Sequence, residues 1–442
     1  MILLFVKKDW QPCVNRFNKV WVKKLLCLSV FFNLCAHAQD NSVGETDWLL
    51  EDDELVTDIE IEQKKPLGSG SSKITNSSPW WQALKTTLQQ DVTRAQGSDG
   101  VERSKIQLDY QGSLYSDFYL KMQSNYRYFS RRDVQAIDKG EAYGRSKVQQ
   151  FWLQYSQNQC AYTFGRQTLV WGEVDGTFAV DVLTPFDFTE QLFTDYNDLR
   201  VAQDMLLVDC YLTQKQVQFF YIPKPKTNVI SHSVTNISVS ESGREEFGVR
   251  LKLAYPGLDL SFMLAQLYWN MPGYIPSVNR DDFQFESQKF DFAGLSASFA
   301  KGRLLYKGDL AYKSNQIEVS SAEKNSTVEL ALGLEYTTLD NQKINSGFWQ
   351  VESLGSDGND RPGTFTLGWS RQYFHDDLSM SLLGNIYQQP EYQNITLLGA
   401  YKLSDVYTFS CALSTANIEE EDKALVTGLA DKAVSFSLKV EI

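Results

Sequence analysis

The sequence predicts an all-β protein: a transmembrane antiparallel up-and-down β-barrel of about 16 strands, with 14 and 18 as the neighbouring counts. Three observations predict it. The chain opens with an export signal. No later stretch stays apolar for the ~20 residues that a helical span needs. From residue 101 onward, apolar and polar side chains alternate with period two, and such alternation over about ten residues, with aromatics near the ends, marks a strand that crosses an outer membrane.

The export signal is "KKLLCLSVFFNLCAHAQ", in which Lys23 and Lys24 precede an apolar run and Ala36-His37-Ala38 supplies a small-x-small cleavage site. Cleavage near Ala38–Gln39 assigns residues 1–38 to a signal peptide and exports the mature chain; with the barrel pattern below, the expected location is the bacterial outer membrane. The whole chain carries a net charge of −13, and residues 1–38 hold six basic residues and one acidic residue, so the remainder carries −18. Ten of its acids, with no base, fall in residues 39–62. Residues 39–78 therefore read as an acidic, disordered leader ending in the linker "GSGSSKITNSS". A chain of this charge has no footprint for nucleic acid.

In "SSPWWQALKTTLQQD", Ser78 suits a helix N-cap and Pro79 the first helical position. Trp81, Leu84 and Leu88 then share one helical face. The spacing predicts a short periplasmic helix over residues 79–100. The expected partners are outer-membrane lipids and, through residues 39–90, a periplasmic protein.

Residues 101–442 are assigned to the barrel. In "KIQLDYQGSLY" and "DFYLKMQSNYRYF" the apolar face opposes lysine, glutamine, asparagine and arginine. The same alternation places Arg127, Arg250 and Lys252 on the polar face, as a water-filled lumen requires. Short turns such as "YPGLD" and "AKGR" alternate with long polar connections, matching periplasmic turns and external loops. The terminal "VSFSLKVEI" sets Val434, Phe436, Leu438, Val440 and Ile442 on one face and closes the barrel. Beyond the signal peptide the cysteines are Cys160, Cys210 and Cys411. This odd, widely spaced set is read as isolated small apolar residues, with one Cys160–Cys210 bridge as the alternative.

One connection stands apart. "FGRQTLVWGEVDGTFAVDVLTPFDF" leaves an aromatic strand for about thirty residues before the chain returns at "MLLVDCYL". Glu173, Asp175, Asp181, Asp187, Glu190, Asp195 and Asp198 alternate there with Phe178, Phe186, Phe188, Phe193 and Tyr196. Unstructured connections of this length are usually functional. The aromatics predict a loop folded against the barrel wall, residues 172–203 forming a constriction with its carboxylates facing the channel.

Gly165, Arg166, Gln167, Trp171, Gly172, Asp181, Pro185, Asp187, Arg200 and Pro223 carry a resemblance. A Gly-Arg-Gln strand reaches Trp-Gly, an Asp-Val-Leu-x-Pro-x-Asp turn follows, and a later strand ends in Tyr-Ile-Pro. This pattern resembles a family of proteobacterial outer-membrane barrels related to the alginate-export porins. The resemblance implies a passive channel or export porin. It does not imply alginate, which wants a strongly cationic lumen.

Strict alternation puts Arg166 on the outward face of Tyr162 and Phe164. A bulge at Gly165 is expected to turn it inward toward the loop carboxylates; the alternative is a structural ion pair tying the loop down. The function expected is a diffusion channel. Its constriction and lumen candidates are Arg166, Glu173, Asp175, Asp181, Asp187, Arg200, Arg127, Arg250 and Lys252. The alternative is a closed barrel that anchors a periplasmic partner through its N-terminal segment. No catalytic residue, cofactor or metal is expected: beyond the signal peptide only His232 and His375 are available for general-base work, and neither lies near a Gly-x-Ser-x-Gly motif.

Overall fold

The computed structural model describes residues 83–96, 100–115, 117–132, 143–187, 199–229, 244–270, 273–275, 284–286, 288–317, 324–354, 363–388, 391–418 and 432–442. The signal peptide and the acidic leader lie outside the described residues.

Twenty strands form among the described residues. The first nine are β1 (Leu84–Ala95), β2 (Val101–Tyr115), β3 (Phe118–Arg132), β4 (Tyr143–Gln157), β5 (Cys160–Gln167), β6 (Gln203–Leu212), β7 (Lys215–Ile222), β8 (Glu246–Tyr255) and β9 (Leu258–Tyr268). A separate small hairpin follows, β10 (Gly273–Ile275) and β11 (Gln284–Glu286). The wall resumes with β12 (Lys289–Lys301), β13 (Leu304–Ile317), β14 (Lys324–Thr337), β15 (Lys343–Leu354) and β16 (Gly363–Tyr373). It ends with β17 (Leu378–Gln388), β18 (Glu391–Lys402), β19 (Tyr407–Ile418) and β20 (Lys432–Glu441).

Eighteen of these strands make one sheet. Each pairs antiparallel with its neighbour in sequence, β9 passing directly to β12. β20 pairs back onto β1 from Thr87↔Glu441 to Ala95↔Ala433, which closes the barrel. The amide of Ile442 donates to the Thr86 carbonyl at 2.8 Å and that of Thr86 to the Ile442 carbonyl at 2.9 Å, so the seam is bonded to the last residue. Closure removes both sheet edges, as a hydrocarbon surround requires.

The period-two pattern sorts the faces as its chemistry demands. Phe164, Leu264, Leu332 and Ile395 are among the most exposed apolar side chains, and all point outward. Lys105, Arg127, Asp209, Asp309 and Lys313 point inward and are buried. Connections at one end are short, such as 158–159, 213–214, 256–257 and 302–303. At the other end 168–202 and 223–245 are long.

The strand count corrects the expectation of 16. Residues 101–442 contribute seventeen barrel strands, and the eighteenth is β1. Residues 84–95 are therefore a strand, not part of a helix over 79–100, and the barrel begins at Leu84 rather than 101. The misreading has a physical source: Leu84 and Leu88 are four apart, and a separation of four keeps two side chains together in a helix and in a strand alike. Pairing decides between them. β1 bonds β2 on one side and β20 on the other, with Leu88↔Val440 and Val92↔Phe436 on the outer face.

Cys160 and Cys210 are directly opposite in the β5–β6 ladder and form a disulfide. This corrects the reading of both as isolated apolar residues; the pairing of the two strands across the long loop brings them together. Cys411 is free.

Gly165 has φ +131°, and a Cβ there would sit 2.3 Å from the Phe151 carbonyl oxygen. The β4–β5 register nevertheless runs unbroken from Gln157↔Cys160 to Phe151↔Arg166. Gly165→Ala is expected to strain this hairpin and lower the folded fraction at a given temperature. Heat-dependent mobility of the barrel in detergent gels checks it, with Gly384→Ala, where a Cβ meets nothing closer than 3.8 Å, as the tolerated control.

Candidate functional site

The interior feature is the connection between β5 and β6, whose described residues, 168–187 and 199–202, turn into the barrel instead of rising from it. Leu169, Trp171, Val180 and Leu183 of this loop are fully buried. They pack on inward side chains of five strands: Met205 and Leu207 of β6, Phe220 and Ile222 of β7, Met263 and Leu267 of β9, Phe290 and Phe292 of β12, and Ala311 of β13. A water-filled lumen would not carry this apolar sector, so loop and wall are built for each other. The Trp171 ring meets Phe220 edge-on at 5.3 Å, and its Nε1–H donates to Gln218 Oε1 at 2.9 Å. A second cluster, Val174 and Ala179 against Ala331 and Trp349, carries the loop across to β14 and β15.

The loop's path is fixed locally. Thr184 Oγ1 donates to the Leu169 carbonyl at 2.8 Å and accepts from the Leu169 amide at 3.2 Å, clasping both ends. Gly172 has φ +124°, and a Cβ there would lie 2.9 Å from Val180. The chain turns here under its own returning arm, which only glycine permits. The next two amides, of Glu173 and Val174, donate to the Asp309 carboxylate on β13 at 3.0–3.2 Å. Phe186 bridges to Arg200, and the Val201 amide donates to the Pro185 carbonyl at 2.7 Å. Gln203 Nε2 donates to the Leu183 carbonyl at 2.5 Å, and Asn270 Nδ2 to that of Val182 at 2.7 Å.

The loop carboxylates correct the expectation that they face the channel as an acidic set. Asp175, Asp181 and Asp187 each pair with a basic group, and Glu173 is half-buried near Lys252. Asp181 takes a two-point pair from Arg200 at 2.7 and 3.2 Å, both side chains 8% exposed. Arg200 also lies 4.9 Å over the Phe186 ring. Asp187 pairs with Arg145 of β4 at 2.9 Å, and Asp175 with Lys307 of β13 at 2.8 Å. Burial raises the Glu173 carboxyl above its ordinary range, against the pull of nearby Lys252. Burial also raises Asp181, with the Arg200 guanidinium opposing the rise. Glu190, Asp195 and Asp198, with Phe188, Phe193 and Tyr196, lie outside the described residues.

Arg166 is a further correction. It stays on the outer face, opposite outward Phe151, and makes a two-point pair with Asp204 of β6 at 2.9 and 3.0 Å. Gly165 adopts an unusual φ without adding a residue, so the face does not flip. The inward bulge is not formed, and Arg166 is no lumen residue. Arg250 and Lys252 do point inward on β8, but beneath the loop, near Asp209 and Glu173 for the first and 3.5 Å from Asp259 for the second. They are its floor. Gln167 is buried opposite Gln203, and Pro223 ends β7.

Arg127 is buried on the inner wall, and the ladder sets it level with Lys105 on β2 and Arg145 on β4. Three cations thus share one row across three strands, with Lys121 lower on β3. Lys105 and Arg145 were not among the lumen candidates, so the row itself was missed. Asp309 was missed as well; period two within β13 is the signal that places it inward beside Lys307 and Lys313.

The sequence matches no protein-family model and no curated protein. Solved structures do match. OccK1 (OpdK) of Pseudomonas aeruginosa superposes with a TM-score of 0.50 at 8% identity, over 81% of this chain and 98% of that one. OccAB1 of Acinetobacter baumannii gives 0.50 at 8% identity, over 81% and 95%. With an apolar outer belt and a closed eighteen-strand wall, the chain has the fold of the outer-membrane porins, and the bacterial outer membrane is where such a barrel resides.

Proposed function

We propose that this protein is an outer-membrane channel for passive passage of small polar solutes, narrowed by the loop at 172–203. One observation carries the reading: the β5–β6 loop is packed as a structural element inside a barrel wide enough to hold water. Eighteen strands leave an aqueous lumen unless something fills it. Here the described loop residues occupy the sector from β6 to β15 and set how much of the bore remains. The kinship with alginate-export porins rests on the Gly165–Pro223 pattern alone and forms part of the proposal.

The test is single-channel recording in planar bilayers, comparing the full chain with one whose residues 173–199 are replaced by a short Gly-Ser linker. Discrete steps that grow several-fold on excision are expected. Steps of unchanged size would remove the constriction from the reading. No steps from either form would sink the channel, leaving the closed barrel that anchors a periplasmic partner through its N-terminal segment.

A further inference from the structure

Resting on the channel reading above, we propose that the open wall of the bore carries two binding stations for a neutral, multiply hydroxylated ring solute of the saccharide class. The described loop residues pack chiefly on β6 to β15, so the inner faces of β16–β20 and β1–β4 bound the remaining bore. Two pairs of aromatic side chains stand on those faces, one toward each end of the barrel.

The first pair is Tyr387 of β17 and Tyr392 of β18, directly opposite one another beside the connection at 389–390, with ring centroids 4.0 Å apart. They share the inner face with buried Ser381, while Ile386 and Ile395 are exposed on the outer one. Asn385 and Asn394 come next on the inner face, Asn385 Nδ2 donating to Asn394 Oδ1 at 2.8 Å. Leu383 follows and is 39% exposed, so this wall is open to the lumen. The second pair is Tyr119 of β3 and Trp152 of β4, toward the short turns, with centroids 5.9 Å apart and planes at 31°. Trp152 is directly opposite inward Lys121, and Tyr119 precedes that lysine by two on the same face. Both rings are half-buried and keep part of their surface toward the bore. Gln150 and Gln154 flank Trp152 on this face, and the indole Nε1–H donates to Gln150 Oε1 at 3.1 Å.

Outward aromatics are accounted for by the girdles at the membrane interfaces. Inward ones are not. Phe220, Phe290, Phe292 and Trp349 belong to the clusters that hold the loop, but Tyr387, Tyr392, Tyr119 and Trp152 lie outside both clusters. Each station joins aromatic carbon to side-chain amides, and that combination selects the ligand. A sugar ring offers C–H faces that stack on aromatic rings, edged by hydroxyls that both donate and accept. A side-chain amide offers both functions without charge. An aromatic carboxylate would stack as well, but it asks for a cation. The first station has none: the inner face of β17–β18 from Ser379 to Ala400 carries no acid or base. At the second, Lys121 and Lys85 both act on Asp109, which leaves one positive charge among the three and calls for an anionic probe as a control.

The experiment records current through the full chain with cellotriose, a neutral trisaccharide, and with a polyethylene glycol of equal mass. Cellotriose is expected to interrupt the open current at concentrations where the polyether does not. Trp152→Leu and Tyr392→Leu should each weaken that block about tenfold through the loss of one stacking contact, while Trp152→Phe keeps most of it. Saturation-transfer NMR on the full chain in detergent reads cellotriose binding without any current. No transfer to the sugar overturns the stations whether or not the chain conducts. Equal block by the polyether, or parental block in both leucine variants, also overturns them and reports obstruction alone. Tighter binding of trigalacturonate than of cellotriose would replace the neutral solute with an anion. Transfer without conductance steps would keep the stations and sink the channel. Should a leucine variant fail to fold, transfer from the aromatic protons of the full chain still decides.

Discussion

Arg200→Ala is expected to release the loop from the lumen while leaving the barrel closed. The substitution strands the Asp181 carboxylate, which is buried and has Arg200 as its two-point partner. Breaking one side of a buried ion pair costs about 3–5 kcal/mol, more than replacing both members, because the remaining charge is left without water or a hydrogen-bonded counter-ion. The barrel does not share the loss, since its ladder of interstrand bonds contains neither side chain. Single-channel current should become larger and noisier, with the loop moving in and out on the recording timescale. The effect should depend on pH. Burial raises the Asp181 carboxyl, so without Arg200 the packed loop binds a proton that the released loop gives up. A raised carboxyl contributes stability below its ordinary range and loses it as pH rises through the shifted value. The variant should therefore conduct more like the parent in acid and depart from it toward neutral pH. Arg200→Met with Asp181→Asn should remove that dependence. Identical current and noise in variant and parent across this range would show that the pair does not hold the loop.

Much of this architecture was legible in the sequence, and the misses share a cause. Period-two alternation identifies β2, β3, β8, β13 and β14 because each buries one face in lipid and wets the other. It also marks Arg127, Lys307 and Lys313 as inward. It fails at β1, where leucines four apart satisfy two periods at once and only the pairing with β20 shows which applies. The Gly165–Arg166 step fails the other way: glycine signals an unusual φ, but φ alone does not say whether a residue has been inserted, and only the register does. Of the loop aromatics within the described residues, Phe186 is buried and Phe178 is half-buried against Phe186 and Trp349, as a loop folded on the wall requires. The acids were misread because their partners, Arg200, Arg145 and Lys307, lie between 19 and 132 residues away in sequence and meet them only in the folded chain. Long-range charge matching has no local signature.

Trp171→Ala tests the apolar half of the same anchor. The indole is fully buried between Phe220 and Phe292, and it supplies the donor that satisfies Gln218 Oε1. Truncating a buried tryptophan costs about 3–5 kcal/mol through lost contact and the cavity left behind. A protein whose loop and wall were one cooperative unit would show that loss as a lower melting temperature of the barrel. The bonds that hold each part predict otherwise. The wall strands hold one another by backbone bonds around a closed circle, whereas the loop is held by side chains. The loss should thus appear as local opening. Limited proteolysis in detergent should cut within 172–203 far faster in the variant, while heat-dependent gel mobility of the barrel changes little. Trp171 packs in the cluster that contains Val180, and Arg200 pairs with Asp181 one residue on, so the two anchors hold the same arm. Neighbouring contributions do not add. Once either anchor is lost, removing the other should accelerate cleavage much less than it does in the parent. Full additivity would mean that the arm is held at two independent points, and that the constriction has more than one moving part.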